Sequence, residues 1–169
     1  MGGFLGYENL SIFEQDFWDI NNSLNKLLTS TNATALLLVD KAGQLITSVG
    51  NISNLDLVSF GSLAAADFAA TSQLAMLIGE DEFTELFHQG KQENIYITII
   101  LSRIILVVIF GKSTNLGLIR IRIKTTVTEL EKIFTNIFAK LNSNSERMRD
   151  TFNEDFKKAA ESELDDLFK

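Results

Sequence analysis

Residues 95–110 read IYITIILSRIILVVIF, and the reading of this run decides what sort of fold the chain has. A membrane-crossing helix needs about 20 consecutive apolar residues. This run is shorter, and Ser102-Arg103 interrupts it. Its isoleucines and valines are β-branched and suit a pleated surface. The run therefore predicts two buried strands, about 95–100 and 104–110, joined by a tight turn. The second strand has no polar alternation, the mark of a strand covered on both faces. A sheet packed by helices on each side follows from that one stretch.

On the C-terminal side, NLGLIRIRIK (115–124) alternates Ile119, Ile121 and Ile123 with Arg120, Arg122 and Lys124. Period two predicts a further strand over about 116–124. Thr126…Glu129 then reads as a capping box, in which a hydroxyl and an acid satisfy free N–H groups at a helix start. The helix after it would bury Leu130, Ile133, Phe134, Ile137 and Leu141. NSNSERMRD (142–150) reads as a linker. Thr151…Glu154 opens an amphipathic segment with Phe152, Phe156, Ala159, Ala160, Leu164, Leu167 and Phe168. Residues 150–169 hold seven acids and three lysines, a net −4.

On the N-terminal side, EDEFTELFHQGKQEN (80–94) reads as an acidic irregular loop with at most a helical turn. Before it, ATALLLVDKAGQLITSVG gives strand–turn–strand around Asp40-Lys41-Ala42-Gly43. Ser11…Glu14 opens a first helix ending near Ser30, with Phe13, Phe17, Ile20, Leu24, Leu27 and Leu28 at helical spacing. Ser53…Asp56 opens a second helix, about 55–78, stopped by Gly79. The order is helix, two strands, helix, three strands, helix and a tethered helix. This is α+β: a mostly antiparallel five-stranded sheet between helical layers.

Totals narrow the function. The net charge of −7 argues against a general nucleic-acid or anionic-membrane surface. There is no cysteine, which excludes disulfides and thiolate-held metals and fits a reducing cytosol. No basic-then-apolar leader opens the sequence, so its three Asn-x-Ser/Thr triplets (Asn21, Asn32, Asn51) read as chance matches. Position six is Gly, not the Ser or Thr of a myristoylation signal.

Catalytic constellations are not evident. His88, the only histidine, lies in LFHQG without a nucleophile to serve. FGKST (110–114) resembles the end of a phosphate loop, but Leu106 stands where the first glycine belongs. Its GKS is also expected at a strand–strand turn, not ahead of a helix. Glu80, Asp81, Glu82 and Glu85 lack the alternating oxygens of a calcium loop and read as a solvated patch. Arg120 and Arg122 read as ion-pair partners on a sheet face. No metal, cofactor or enzymatic activity is expected.

The second helix points instead to partners. In SLAAADFAATSQLAMLIGE (62–80), Leu63, Ala66, Ala70, Leu74 and Leu77 form a stripe expected to cover the sheet. Ala65, Ala69, Ser72 and Met76 form a second stripe, too apolar for an idle solvent face. Small residues there would admit another backbone closely.

With these segments in view, the chain resembles the Roadblock/LC7 domain family, in its MglB-like branch. The matching pieces are LLLVDKAGQLITSVG, SLAAADFAATSQLAMLIGEDEFTELFHQG, NIYITIILSRIILVVIF and NLGLIRIRIK, over about 36–124. The terminal ESELDDLFK resembles an acidic-hydrophobic tail of some members. The resemblance implies a profilin-like α-β-β-α-β-β-β-α sandwich. It places the domain at 11–141, with an extension at 1–10, a linker at 142–150 and a C-terminal helix at 151–169. It also implies a homodimer with sheets joined edge to edge, whose paired second helices seat one Ras-like small GTPase of the MglA type. The expected activity is GTPase activation without an arginine finger, in cell polarity and gliding motility. By resemblance, Ala69 and Gln73 fall at positions facing the GTPase, with Ala65, Ser72 and Met76 nearby in the binding surface, Gln73 standing where a smaller residue is common. Leu164, Leu167 and Phe168 would dock the C-terminal helix elsewhere on it. Cytoplasmic placement and concentration at a cell pole follow from the same likeness. The other readings are a scaffold that binds without altering turnover, and a small-molecule sensor. The density of large aliphatics on every strand argues against a cavity for the latter.

Overall fold

The computed structural model describes the backbone of residues 5–167 and the side chains of residues 14–165. The elements run α1 (Leu5–Thr31), β1 (Ala35–Asp40), β2 (Leu45–Gly50), α2 (Leu57–Leu77), β3 (Glu85–Gln89), β4 (Asn94–Ile100), β5 (Ile104–Phe110) and α3 (Leu116–Leu167). The strands form one sheet in the order β2-β1-β5-β4-β3, every neighbouring pair antiparallel. The predicted class holds, as does the α-β-β-α-β-β-β-α order in kind, but a single helix α3 stands where a last helix and a separate tethered helix are expected.

The stretch 95–110 is the β4–β5 hairpin. Every residue of β5 is buried. The reversal places Leu101 and Ser102 at φ 51° and 53°, the left-handed geometry of a two-residue turn. No described helix is long and apolar enough to cross a membrane.

Alternation assigns the two faces. Leu37 and Val39 of β1 join Val107 and Ile109 of β5 and Ile97 of β4 in a core cluster with Ala64, Ala65 and Phe68 of α2. The opposite face takes α1 and the start of α3. Thr47 of β2 donates to Asn21 of α1 at 2.9 Å, and Ser23 of α1 donates to Glu129 of α3 at 2.7 Å. Ile20, Leu24, Leu27, Ile119, Ile123 and Leu130 are buried apolar residues of these two helices.

Several sequence expectations are corrected. Residues 116–124 are helix, not strand. Ile119 and Ile123 are buried while Ile121 is exposed, so period 3.6 governs. Asn115 starts this helix: its side chain accepts from the Leu118 N–H at 3.0 Å. The fifth strand is β3, inside the segment expected to be a loop. Three capping boxes do not cap. Ser11 lies within α1, and Thr126 and Thr151 lie within α3, where the Thr151 hydroxyl donates to the Arg147 carbonyl instead. At α2 the cap is Asp56, not Ser53. Helix also continues through 142–150, in place of the expected linker. The chain resolves into two compact units, residues 1–133 and 134–169.

Gly43 shows how closely α2 lies on the sheet. It sits at φ +86° in the β1–β2 turn, and a Cβ there would come within 2.7 Å of the Ser62 Cα. Gly61 makes the reciprocal approach, 2.8 Å from such a Cβ to the Gly43 oxygen.

Candidate functional site

Helix α2 is held at both ends by local chemistry. The Asp56 carboxylate accepts from the Ser59 N–H at 3.1 Å and the Ser59 hydroxyl at 2.6 Å. These bonds hold its carboxyl below the ordinary aspartate value. At the far end Gly79 takes φ +86°, and the Glu80 N–H returns to the Ala75 carbonyl at 3.0 Å. This left-handed terminator is what the sequence position of Gly79 predicts.

Between these ends the helix is turned differently from the expectation. Its buried residues are Gly61, Ala64, Ala65, Phe68 and Ala75. The stripe expected to cover the sheet is exposed: Leu63 at 70%, Leu74 at 56% and Leu77 at 82%, with Ala66 and Ala70 between them. The reason is volume. The sheet beneath α2 supplies large aliphatics, so the helix side facing it must be small for the layers to close at interior density. Gly61, Ala64, Ala65 and Ala75 point inward around Phe68, and Leu63, Leu74 and Leu77 point outward.

The sequence-predicted contact residues divide accordingly. Ala65 is 6% exposed and belongs to the core cluster, so its side chain is not presented. Ser72 is half-buried and its hydroxyl returns to the Phe68 carbonyl at 2.9 Å. Ala69, Gln73 and Met76 are exposed together along one flank of the helix. Leu63, Ala66, Ala70, Leu74 and Leu77 occupy the other flank. A 21-residue helix with apolar exposure on both flanks is an unusual surface for an isolated chain.

Strand β3 lies beside it and forms an edge of the sheet, bonded only to β4. Two contacts pin it, one on each face. His88 Nε2 lies 2.6 Å from Asp67 Oδ2 of α2. On the opposite face Glu85 accepts from the Tyr96 hydroxyl and from the Arg120 guanidinium of α3. Burial works to raise the Glu85 carboxyl, but Tyr96, Arg120 and Lys124 together bring it below its ordinary value. Burial, and then the Glu85 carboxylate, push the Tyr96 hydroxyl up. The strand that organises these partners is missed by sequence reasoning, though ion pairing is expected for Arg120.

Two clefts flank β3. One, about 780 Å³, opens between β3, β4 and α3 around Glu85, Tyr96, Arg120, Lys124 and Glu131, with charges of both signs. The other, about 300 Å³, lies between α2 and β3–β4 and is almost wholly apolar, with the Asp67–His88 pair at its margin. Among the described residues no group of three or more His, Cys, Asp or Glu could hold a metal ion. GKST, expected at a strand–strand turn, leads from β5 into α3. Its helix start is already capped by Asn115, and Leu106 still stands in place of the loop's first glycine.

In the segment 134–165, Phe152 and Phe156 stack with centroids 6.5 Å apart, and both are exposed. Leu164 is exposed as well. The Leu167 side chain and Phe168 lie outside the described residues.

Residues 19–110 match the Roadblock/LC7 domain profile. The fold is similar to that of MglB from Myxococcus xanthus, with 49% sequence identity and a TM-score of 0.67 over 69% of this chain and 95% of that one. The gliding protein MglB of Thermus thermophilus is similar at 27% identity and TM-score 0.66, covering 70% of this chain and 90% of that one. A Roadblock/LC7 domain from Streptomyces avermitilis shares the fold at 12% identity and TM-score 0.60, covering 66% of this chain and 93% of that one.

Proposed function

This chain belongs to the Roadblock/LC7 family, and from that premise we propose that two copies of it form the seat for one MglA-type Ras-like small GTPase and stimulate its GTP hydrolysis. The observation that carries the reading is α2. Its underside is sealed on the sheet, yet both its flanks are apolar and open. One flank, with Leu63, Leu74 and Leu77, is exposed, its Leu63 lining the apolar cleft that also takes in His88 of β3, and it fits a second copy. The other, with Ala69, Gln73 and Met76, fits the GTPase. Ala65 and Ser72 support this surface from beneath, as their burial dictates.

The mechanism needs no catalytic group from this chain. Phosphoryl transfer is accelerated by positioning and by charge stabilisation, both of which the GTPase's own side chains can supply once its switch segments are held. A rigid helical seat does this by binding the arrangement that places those groups correctly. The acidic segment 151–169, with Phe152, Phe156 and Leu164 on its apolar side, docks elsewhere on the GTPase and tunes affinity or nucleotide exchange. Action in gliding motility and polarity, within the cytoplasm and at a cell pole, belongs to the same proposal. It rests on the similarity to the Myxococcus protein and to the gliding protein MglB of Thermus thermophilus.

The test is the mass of the complex with a GTP-analogue-loaded Ras-like GTPase from the same genome, by light scattering after gel filtration. Two copies of this chain per GTPase are expected. A one-to-one complex, or none, overturns the paired seat.

A further inference from the structure

The strongest local excess of positive charge lies away from α2. Residues 111–128 carry Lys112, Arg120, Arg122 and Lys124 and no acid, on a chain whose net charge is −7. Helix periodicity sets Arg120 and Lys124 one turn apart on one face of α3, with Glu131 about two turns further along the same side. That side borders the cleft of about 780 Å³ between α3 and the strands β3 and β4. From Arg120 to Glu131 the helix rises about 16 Å, which sets the length of the cleft wall. Glu85, Tyr96 and Thr98 line it from the sheet face opposite α2, away from both flanks of that helix.

Charges of both signs line this cleft, but they are not equally free. The Glu85 carboxylate already accepts from the Tyr96 hydroxyl and the Arg120 guanidinium. The Thr98 hydroxyl donates to the Thr84 carbonyl at 3.0 Å. Lys124 is exposed and, among the described residues, makes no ion pair; its charge acts on Glu85 from further off. A guanidinium has five N–H donors, so Arg120 retains some for a second acid. Glu131 also makes no ion pair among the described residues. The cleft therefore offers cations at one end, Ile123 and Val127 along its wall, and a carboxylate at the other. A guest acidic throughout is repelled at Glu131. A guest with an acidic end and an apolar, uncharged remainder is matched along its length. An anionic bilayer meets the same Glu131 and the negative charge of the whole chain, and a flat surface does not enter a cleft.

We propose that this cleft docks a short acidic–apolar segment of a partner protein, its carboxylates at Arg120 and Lys124 and its apolar residues against Ile123 and Val127. The site stands apart from the seat proposed on α2, so both can be occupied together.

The probe is a fluorescein-labelled peptide of four glutamates followed by leucine, phenylalanine, leucine and serine. The full chain is titrated into it at low salt, and binding is read by fluorescence anisotropy. Saturable binding is expected. Lys124→Glu, at an exposed residue, should keep the circular dichroism of the wild type and weaken binding by about ten-fold or more. Lys41→Glu makes the same change of charge in the β1–β2 turn, at the opposite edge of the sheet, and should leave the affinity within about two-fold. An all-glutamate peptide should bind the wild type more weakly than the probe and gain affinity on Glu131→Gln. Absence of saturable binding, an affinity unmoved by Lys124→Glu, or equal weakening by Lys41→Glu overturns the site. So does a chain that ignores the peptide but binds vesicles of phosphatidylserine and phosphatidylcholine through Lys124, since the occupant would then be a membrane.

Discussion

Placing an arginine at two neighbouring alanines of α2 separates its buried side from its presented side. Ala65 lies in the core cluster with Phe68, Leu37 and Val39, whereas Ala69, one turn on, is exposed. Ala65→Arg overpacks that cluster, at about 1–3 kcal/mol. It also buries a guanidinium with no carboxylate to meet it, which adds several kcal/mol. A loss of roughly 4 kcal/mol lowers the melting temperature by about 8–16 °C for a chain of this size. Ala69→Arg changes stability by no more than about 0.5 kcal/mol. It introduces a charged, bulky group on the flank assigned to the GTPase and abolishes stimulation of hydrolysis. Thermal denaturation followed by circular dichroism reads the first effect, and phosphate release reads the second. An Ala65→Arg protein that melts with the wild type would show that α2 is not rotated as described. An Ala69→Arg protein that is folded and still stimulates hydrolysis would remove that flank from the GTPase contact.

Three further predictions test the frame that holds α2 and β3. Gly43→Ala is expected to cost roughly 2–4 kcal/mol in urea unfolding, because φ +86° disfavours a side chain and its Cβ meets the Ser62 backbone; an unchanged midpoint would deny the close approach. Asn115→Ala is expected to cost about 1 kcal/mol by removing the α3 cap, and an unchanged midpoint would mean that α3 starts elsewhere. Glu85→Gln tests the fastening of β3 through pH. The folded carboxyl lies below its ordinary value of 4.5, so the ionised group stabilises the fold above that pH, and the contribution is lost as pH falls through the folded value. The variant should therefore be less stable than wild type at pH 7, with the difference shrinking towards pH 3; a difference that grows on acidification contradicts the pairing.

Much of this architecture is legible in the residues, because the strongest signals are local. The uninterrupted aliphatics of β5 announce a strand buried on both faces. Gly43 and Gly79 mark the turn and the helix end where left-handed backbone is needed. Residues 116–124 mislead because Ile119 and Ile123 satisfy both period two and the i, i+4 spacing of a helix; only Asn115, as a cap, distinguishes them. Strand β3 is hidden because its five residues carry Glu85, His88 and Gln89, whose partners Arg120, Asp67 and β4 are remote in sequence. The rotation of α2 escapes for a related reason. Helix periodicity reports that two flanks are apolar, but the side that faces the sheet is decided by the size of the strand residues opposite. The residues proposed for contact divide along the same line: Ala69, Gln73 and Met76 are exposed, while Ala65 is buried and Ser72 half-buried.

The most direct measurement is single-turnover phosphate release from the GTP-loaded Ras-like GTPase of the same genome, titrated with this protein. Stimulation on the order of 100-fold, saturating at two copies per GTPase, is the predicted result. Saturable binding with an unchanged rate of hydrolysis would contradict activation and leave a scaffold in its place.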